Sequence, residues 1–178
     1  MGRHTILVTN DDGIAAPGLR VLASALSDLG DLVIIAPEHN WSASGHSKTM
    51  HKPLRLTPAH LADGRPAMAA SGSPSDCVAL ALLGAIEERP SLVISGINQG
   101  ANVGSDLTYS GTVSAAMEAV IAGIGAIAVS LDSYDSQEFS PAAVFAAQLA
   151  RRMLSERLAR PLLLNVNVPA LSAEEIRG

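Results

Sequence analysis

The run Asn10-Asp11-Asp12-Gly13 holds two adjacent carboxylates beside an apolar segment, a combination that attracts a cation. In a poorly solvated pocket Asp11 and Asp12 would repel each other, and a divalent ion is the simplest way to keep both ionised. The same four residues also suit a solvated Asp-Gly turn, and taken alone they do not choose between the two. Ser42 and Asn98, in loops further along the chain, offer neutral oxygens of the kind that Mg²⁺, Mn²⁺ or Ca²⁺ accept. Two carboxylates with two neutral oxygens leave coordination positions open. Such a site can take a phosphate oxygen together with a water whose pKa the ion lowers. No Cys/His ligand cluster accompanies them, which argues against a structural zinc site.

A second group of residues suits an anion. Ser110-Gly111-Thr112 opens an Ala-rich stretch, and a helix amino terminus there would present free N–H groups and two hydroxyls to a phosphate. An ordinary N-cap accounts for the same residues. The glycine-rich stretch Gly96 to Gly104 suits turn geometry as well as ligand approach, and it lacks the Gly-Lys-Ser/Thr ending of a Walker A loop. His46, in Ser42 to Ser47, is placed to hydrogen-bond phosphate or shuttle a proton, or simply to sit on a surface loop. Trp41 and Tyr109 could stack on a base or serve as packing or lid residues. Cys77 reads as a small core hydrophobe, and His4, His39, His51 and His60 as structural or exposed.

Elements that could bring these groups together follow from the punctuation of the sequence. Ile6-Leu7-Val8 reads as a buried strand, and the carboxyl ends of such strands are where open α/β sheets bind ligands. Leu19, Leu22, Leu26 and Leu29 recur at helical spacing between Pro17 and Gly30. Leu32 to Ile35 is a second strand, leading into the loop from Ala36 to Lys52. His51 to Pro66 reads as an excursion from the sheet, with a short strand at Leu54 to Leu56. Ala67 to Ala70 is a strand, and Ser73 with Asp76 has the spacing of a capping box for a helix through Ile86. Strands at Ser91 to Ser95, Ala126 to Leu131 and Leu162 to Val168 follow, with helices starting at Tyr109 to Thr112 and running from Pro141 to Leu158. Strand-helix alternation of this kind specifies an α/β fold, a mostly parallel sheet with helices on both faces.

Composition sets the class. The 178 residues fit one domain, 48% of them apolar, with no internal repeat, low-complexity tract or linker. Aromatics are only 3%, so the core must be built from Ala, Val, Leu and Ile. A net charge of -5 argues against a nucleic-acid groove, which needs clustered Lys and Arg. One cysteine permits no intrachain disulfide, and Met1-Gly2-Arg3-His4 leads into an apolar run too short for a signal peptide, so a cytoplasmic setting is expected. The longest apolar stretch, Ala119 to Val129, falls short of the roughly 18 residues of a membrane span.

Taken in order, Val8 to Ile14, Ala36-Pro37 with Ser42 to His46, Ser71 to Cys77, Ser95 to Asn102 and Tyr109 to Val113 closely resemble the SurE family of stationary-phase survival proteins. The resemblance runs to Asn165-Val166-Asn167-Val168-Pro169, essentially the whole chain. It implies a Rossmann-like fold and a metal-dependent phosphatase for nucleoside 5′-monophosphates, with 3′-monophosphates as a second class. It further implies one divalent cation per subunit, Mg²⁺ or Mn²⁺ with Ca²⁺ as a substitute, held by Asp11, Asp12, Ser42 and Asn98. The family's phosphate pocket carries over to Asn102, Ser110, Gly111 and Thr112, with Asn102 and Ser110 assigned to catalysis, while Asn10 and Gly45 shape the pocket. A homodimer or homotetramer is expected. Family members usually continue beyond the Asn-Val-Asn-Val-Pro strand into an oligomerisation segment, so residues 1–178 are expected to form a single domain lacking it. Two rivals remain at this stage. One is a haloacid-dehalogenase-type phosphatase, whose aspartate nucleophile would have to stand at Asn10. The other is a non-catalytic nucleotide-binding module.

Overall fold

A strand buried along its whole length has to be covered on both faces, and Thr5–Thr9 is such a strand. The computed structural model describes residues 4–42, 45–156, 160–172 and 174–177. Its main elements are β1 (Thr5–Thr9), α1 (Pro17–Leu26), β2 (Asp31–Pro37), β3 (Leu56–His60), β4 (Pro66–Ala70), α2 (Pro74–Leu80), β5 (Leu92–Gln99), α3 (Gly111–Ile121), β6 (Ala126–Asp132), α4 (Ser140–Ser155) and β7 (Leu163–Pro169). The strands form one sheet in the order β3-β4-β2-β1-β5-β6-β7. Among the described residues only the β3–β4 pair is antiparallel. The expected mostly parallel α/β architecture is what the chain adopts.

Strand β1 lies between β2 and β5, parallel to both. The chain leaves β1 for β2 on one side and later crosses to β5 on the other. The carboxyl end of β1 is therefore the point where strand order reverses, and ligands of open α/β sheets bind in the crevice such a reversal leaves. On one face Leu19, Leu22 and Leu26 of α1 and Ala142, Ala143 and Ala146 of α4 pack on Ile6, Val8, Ile94 and Ile127. On the other, Cys77 and Val78 of α2 and Ala115, Ala116 and Ala119 of α3 pack on Leu7, Ile35 and Val93.

Helix starts follow the local chemistry. Pro17 opens α1, and Ser73 caps α2 with Asp76 in a reciprocal capping box. Several boundaries differ from the sequence reading. The third strand is Leu56–His60 rather than Leu54 to Leu56, and as a hairpin with β4 it joins the sheet instead of leaving it. Helix α2 gives way at Ala81–Ala85 to a wider π turn, where Gly84 has φ 109. Strand β5 continues through the first four residues of the glycine-rich stretch to Gln99. Helix α4 ends at Ser155, where Glu156 turns extended, short of the expected Leu158; Leu158, Met1 to Arg3 and Gly178 lie outside the described residues. Among the described residues no helix is long and apolar enough to cross a membrane.

Candidate active site

Asp11 leaves β1 into the amino terminus of α3. It is 4% exposed, its Oδ2 accepts from the Thr112 N–H at 3.0 Å, and its Oδ1 accepts from the Thr112 hydroxyl at 2.5 Å. Residue 111 must be glycine for this approach, since a Cβ there would lie 2.8 Å from the Asp11 Cβ. Burial pushes the Asp11 carboxyl above its ordinary range, and the Thr112 hydroxyl and N–H work against that rise. The positive end of α3 is thus aimed at a side chain of its own protein.

Asp12 is half-buried. Burial, and then the neighbouring Asp11 charge, push its carboxyl up to about 6, against the opposing N–H of Gln99. That N–H reaches Asp12 Oδ2 at 3.4 Å, and Asn40 Nδ2 donates to Oδ1 at 3.3 Å. Asn40 also orders Ser42, accepting from its N–H at 2.7 Å and from its hydroxyl at 2.6 Å. The Trp41 N–H donates to the Asp11 carbonyl at 2.8 Å, which ties this loop to the first strand end.

Asp11, Ser42, Asn98, Asn102 and Ser110 line one cavity of about 350 Å³, joined by Gln99, Ala101, Asp106, Tyr109 and Tyr134. Asn98 reaches it through a register shift. Between Ser95 and Asn98, β5 has one residue more than β6, a bulge that resets the alternation. Ile94 and Ile97 consequently share the α1/α4 core, and Asn98 falls on the opposite side, with the carboxylates. Asn102 is clamped: its N–H donates to Asn167 Oδ1 at 2.7 Å, its carbonyl accepts from Asn165 and Asn167, and its Nδ2 donates to Ser130 Oγ at 2.8 Å. Ser110 caps α3, accepting from the Val113 N–H at 3.1 Å. Asn10, Asp12, Gly45, Gly111 and Thr112 stand outside the lining itself. Of these, Asn10 is wholly buried with Nδ2 donating to the Gly13 carbonyl at 2.9 Å, and the Gly45 N–H donates to the Tyr109 carbonyl at 2.9 Å.

This donor set suits a hard divalent cation. Two adjacent, desolvated carboxylates whose protonation is favoured by burial and mutual repulsion would be stabilised in their ionised form by a 2+ charge. The buried Asn10 Oδ1 also has no hydrogen-bond partner. Among the described residues no group of three His, Cys, Asp or Glu could hold a metal, and the side chains of Ser42 and Asn98 add neutral oxygens to the cavity that Asp11 lines. A larger concavity of about 680 Å³ lies along α4 and the end of β7, walled by Val144, Phe145, Val168 and Pro169, and it holds none of the candidate ligands.

The other singled-out residues are placed as follows. His46 Nε2 lies 2.9 Å from Glu118 Oε2, and Lys48 Nζ lies 2.6 Å from Oε1 of the same carboxylate, so the loop is fastened to α3. Cys77 is buried, and burial pushes its thiol up to about 12. Residues 43 and 44, inside the expected Ser42 to His46 motif, lie outside the described residues.

A family model described as Survival protein SurE matches residues 6–178. The chain belongs to the SurE family. It is 54% identical over 171 residues to a protein of Herpetosiphon aurantiacus named 5′-nucleotidase SurE, an alignment covering 95% of this chain and 67% of that protein. A Synechococcus protein of the same name is 50% identical over 97% of this chain and 68% of its own length. The crystal structure of the SurE protein from Aquifex aeolicus superposes with a TM-score of 0.88 at 41% identity, over 98% of this chain and 69% of that one. The chain spans about two thirds of the length of these relatives.

Within this SurE fold, several site-building residues escaped the sequence reading. Asn40 follows the β2 strand end and could have been found as a polar residue beside Ser42. Asn165 and Asn167 were visible only as part of the last strand motif. Gln99, Glu118 and Tyr134 carry no local signal, because each acts through contacts with residues distant in sequence.

Proposed function

We propose that this chain hydrolyses nucleoside 5′-monophosphates to nucleoside and phosphate in a metal-dependent reaction, with 3′-monophosphates as a second substrate class. The observation that carries the reading is the adjacent carboxylate pair, a buried Asp11 that lines one strand-end crevice with Ser42, Asn98 and Ser110, and a half-buried Asp12 beside it. The relatives named 5′-nucleotidase SurE support it.

In this reading Asp11, Asp12, Ser42 and Asn98 would hold one divalent cation, Mg²⁺ or Mn²⁺, with Ca²⁺ able to substitute. When bound, such an ion polarises a phosphoryl oxygen and activates water. Ser110 and Asn102 face the phosphate in the cavity and stabilise charge as it develops. Thr112 and Gly111 act through Asp11, since both donors of Thr112 are engaged by its carboxylate and Gly111 permits the approach. Asn10 and Gly45 shape the pocket by their backbone contacts. A covalent aspartyl mechanism is disfavoured, because the nucleophile position holds an amide that is buried and hydrogen-bonded. The purely binding alternative is disfavoured by the activity named in the relatives.

A single domain is supported by the one seven-stranded sheet. A cytoplasmic, homodimeric or homotetrameric protein is the companion expectation of the family resemblance, and sedimentation tests its oligomeric part. The enzymatic reading is tested by phosphate release from nucleoside monophosphates with Mg²⁺, Mn²⁺ or EDTA. Turnover restored by either ion and abolished by EDTA is expected; turnover unaffected by EDTA would overturn it.

A further inference from the structure

We propose that Tyr134 is the platform on which the substrate's aromatic base stacks, so that this side chain sets the preference for nucleoside monophosphates over phosphate esters that carry no base. The inference rests on the nucleotidase reading above. The chain has two tyrosines, one tryptophan and two phenylalanines, and both tyrosines line the cavity that holds Asp11, Ser42 and Ser110. Tyr134 is 80% exposed, although its position is tightly built.

The backbone at that position is held, and the ring rests against Gly100. The ring lies over Gly100, where a Cβ would stand 2.5 Å from Tyr134 Cε1, so the absence of a side chain at residue 100 makes room for it. Gln99 Nε2 donates to the carbonyls of Tyr134 at 2.7 Å and Ser136 at 3.2 Å, while the Ser133 hydroxyl accepts from the N–H groups of Asp135 and Ser136. The Gly100 N–H donates to the Leu131 carbonyl at 3.0 Å. Gln99 is also the residue whose N–H meets Asp12, and Asn98 precedes it. The ring is therefore held against the short segment Asn98 to Gly100, which carries one proposed cation ligand and the N–H that meets another.

A nucleoside monophosphate with its phosphate at Ser110 and the carboxylates must lay its base elsewhere along the cavity. An aromatic ring with a held backbone and a solvent-facing surface offers that base a π face at small entropic cost. A base-free ester such as ribose 5-phosphate gains nothing from it.

The test compares kcat and KM of the wild type, Tyr134→Ala and Tyr134→Phe on adenosine 5′-monophosphate and on ribose 5-phosphate, with Mg²⁺. Tyr134→Ala is expected to raise KM for the nucleotide on the order of tenfold, leave KM for ribose 5-phosphate unchanged and keep both kcat values within about twofold. Tyr134→Phe keeps the wild-type values. An unchanged nucleotide KM in Tyr134→Ala, or equal rises on both esters, overturns the assignment. Calorimetric titration with adenosine repeats the comparison without turnover: binding weakened on the order of tenfold by Tyr134→Ala supports it, and unchanged or undetectable wild-type binding overturns it. Wild-type protein that hydrolyses neither ester is a failure of the nucleotidase reading, and the adenosine titration still decides the role of Tyr134.

Discussion

The two faces of the sheet are built from different side chains. Beneath α1 and α4 lie the large side chains of Ile6, Val8, Leu19, Leu22, Leu26, Ile94, Ile97 and Ile127, with α4 contributing the alanines Ala142, Ala143, Ala146 and Ala150. Beneath α2 and α3 seven of the fourteen buried apolar residues described are alanines (Ala70, Ala81, Ala115, Ala116, Ala119, Ala126 and Ala128), against seven of twenty-two on the other face. Small residues let a helix lie close to the sheet, and they bring the amino terminus of α3 to the end of β1. The same face carries the buried hydroxyls of Ser75, Thr112 and Ser114. One face therefore supplies stability, and the other gives up apolar volume so that a helix end can meet a carboxylate.

That division makes the faces separable by mutation. The largest effect is expected at Leu22, wholly buried on the stabilising face. Leu22→Ala should cost about 2–5 kcal/mol in denaturant unfolding and leave cation affinity of the folded protein unchanged. A loss of cation affinity at native conditions would break the comparison. Next comes Thr112→Val on the functional face, which removes the hydroxyl donated to Asp11. We expect a loss of about 1.5–3 kcal/mol, a further rise of the Asp11 carboxyl and weaker cation binding, with Thr112→Ser retaining the wild-type behaviour. Calorimetric Mn²⁺ titration of the three proteins checks it.

The smallest effect is a pH dependence. Without cation, Asp12 holds its proton up to about 6 in the folded protein, against an ordinary value of 3.8. Between those values the folded state binds more protons than the unfolded one, so stability falls as pH rises from about 4 to 6. Cation binding displaces that proton, so affinity should rise over the same window and the fall in stability should disappear when Mg²⁺ is present. Melting temperatures at pH 4.5 and 6.5, with Mg²⁺ and with EDTA, separate the cases. The sign would be wrong if the metal-free protein gained stability across that interval.

Much of the architecture was legible because the site motifs sit directly after β-branched and aliphatic runs, which marked strand ends independently of tertiary structure. The capping box at Ser73 and the Pro17 helix start were local signals of the same kind. The extension of β5 to Gln99 was hidden, since Gly96, which reads as the start of a loop, belongs to a bulged strand whose pairing is decided by β6. The engagement of Thr112 with Asp11 was equally invisible, as the two are 101 residues apart and a helix-start threonine reads as an anion donor. The Asn102 clamp depends on β7 reaching its neighbour, which no local pattern states.

The functional proposal stands or falls with cation binding at Asp11 and Asp12. Mn²⁺ titration of the wild type and of Asp12→Ala, by calorimetry near neutral pH with circular dichroism as the folding control, tests it most directly. One Mn²⁺ per chain is expected in the wild type and none in a folded Asp12→Ala protein. Equal Mn²⁺ affinity in the two proteins would contradict it.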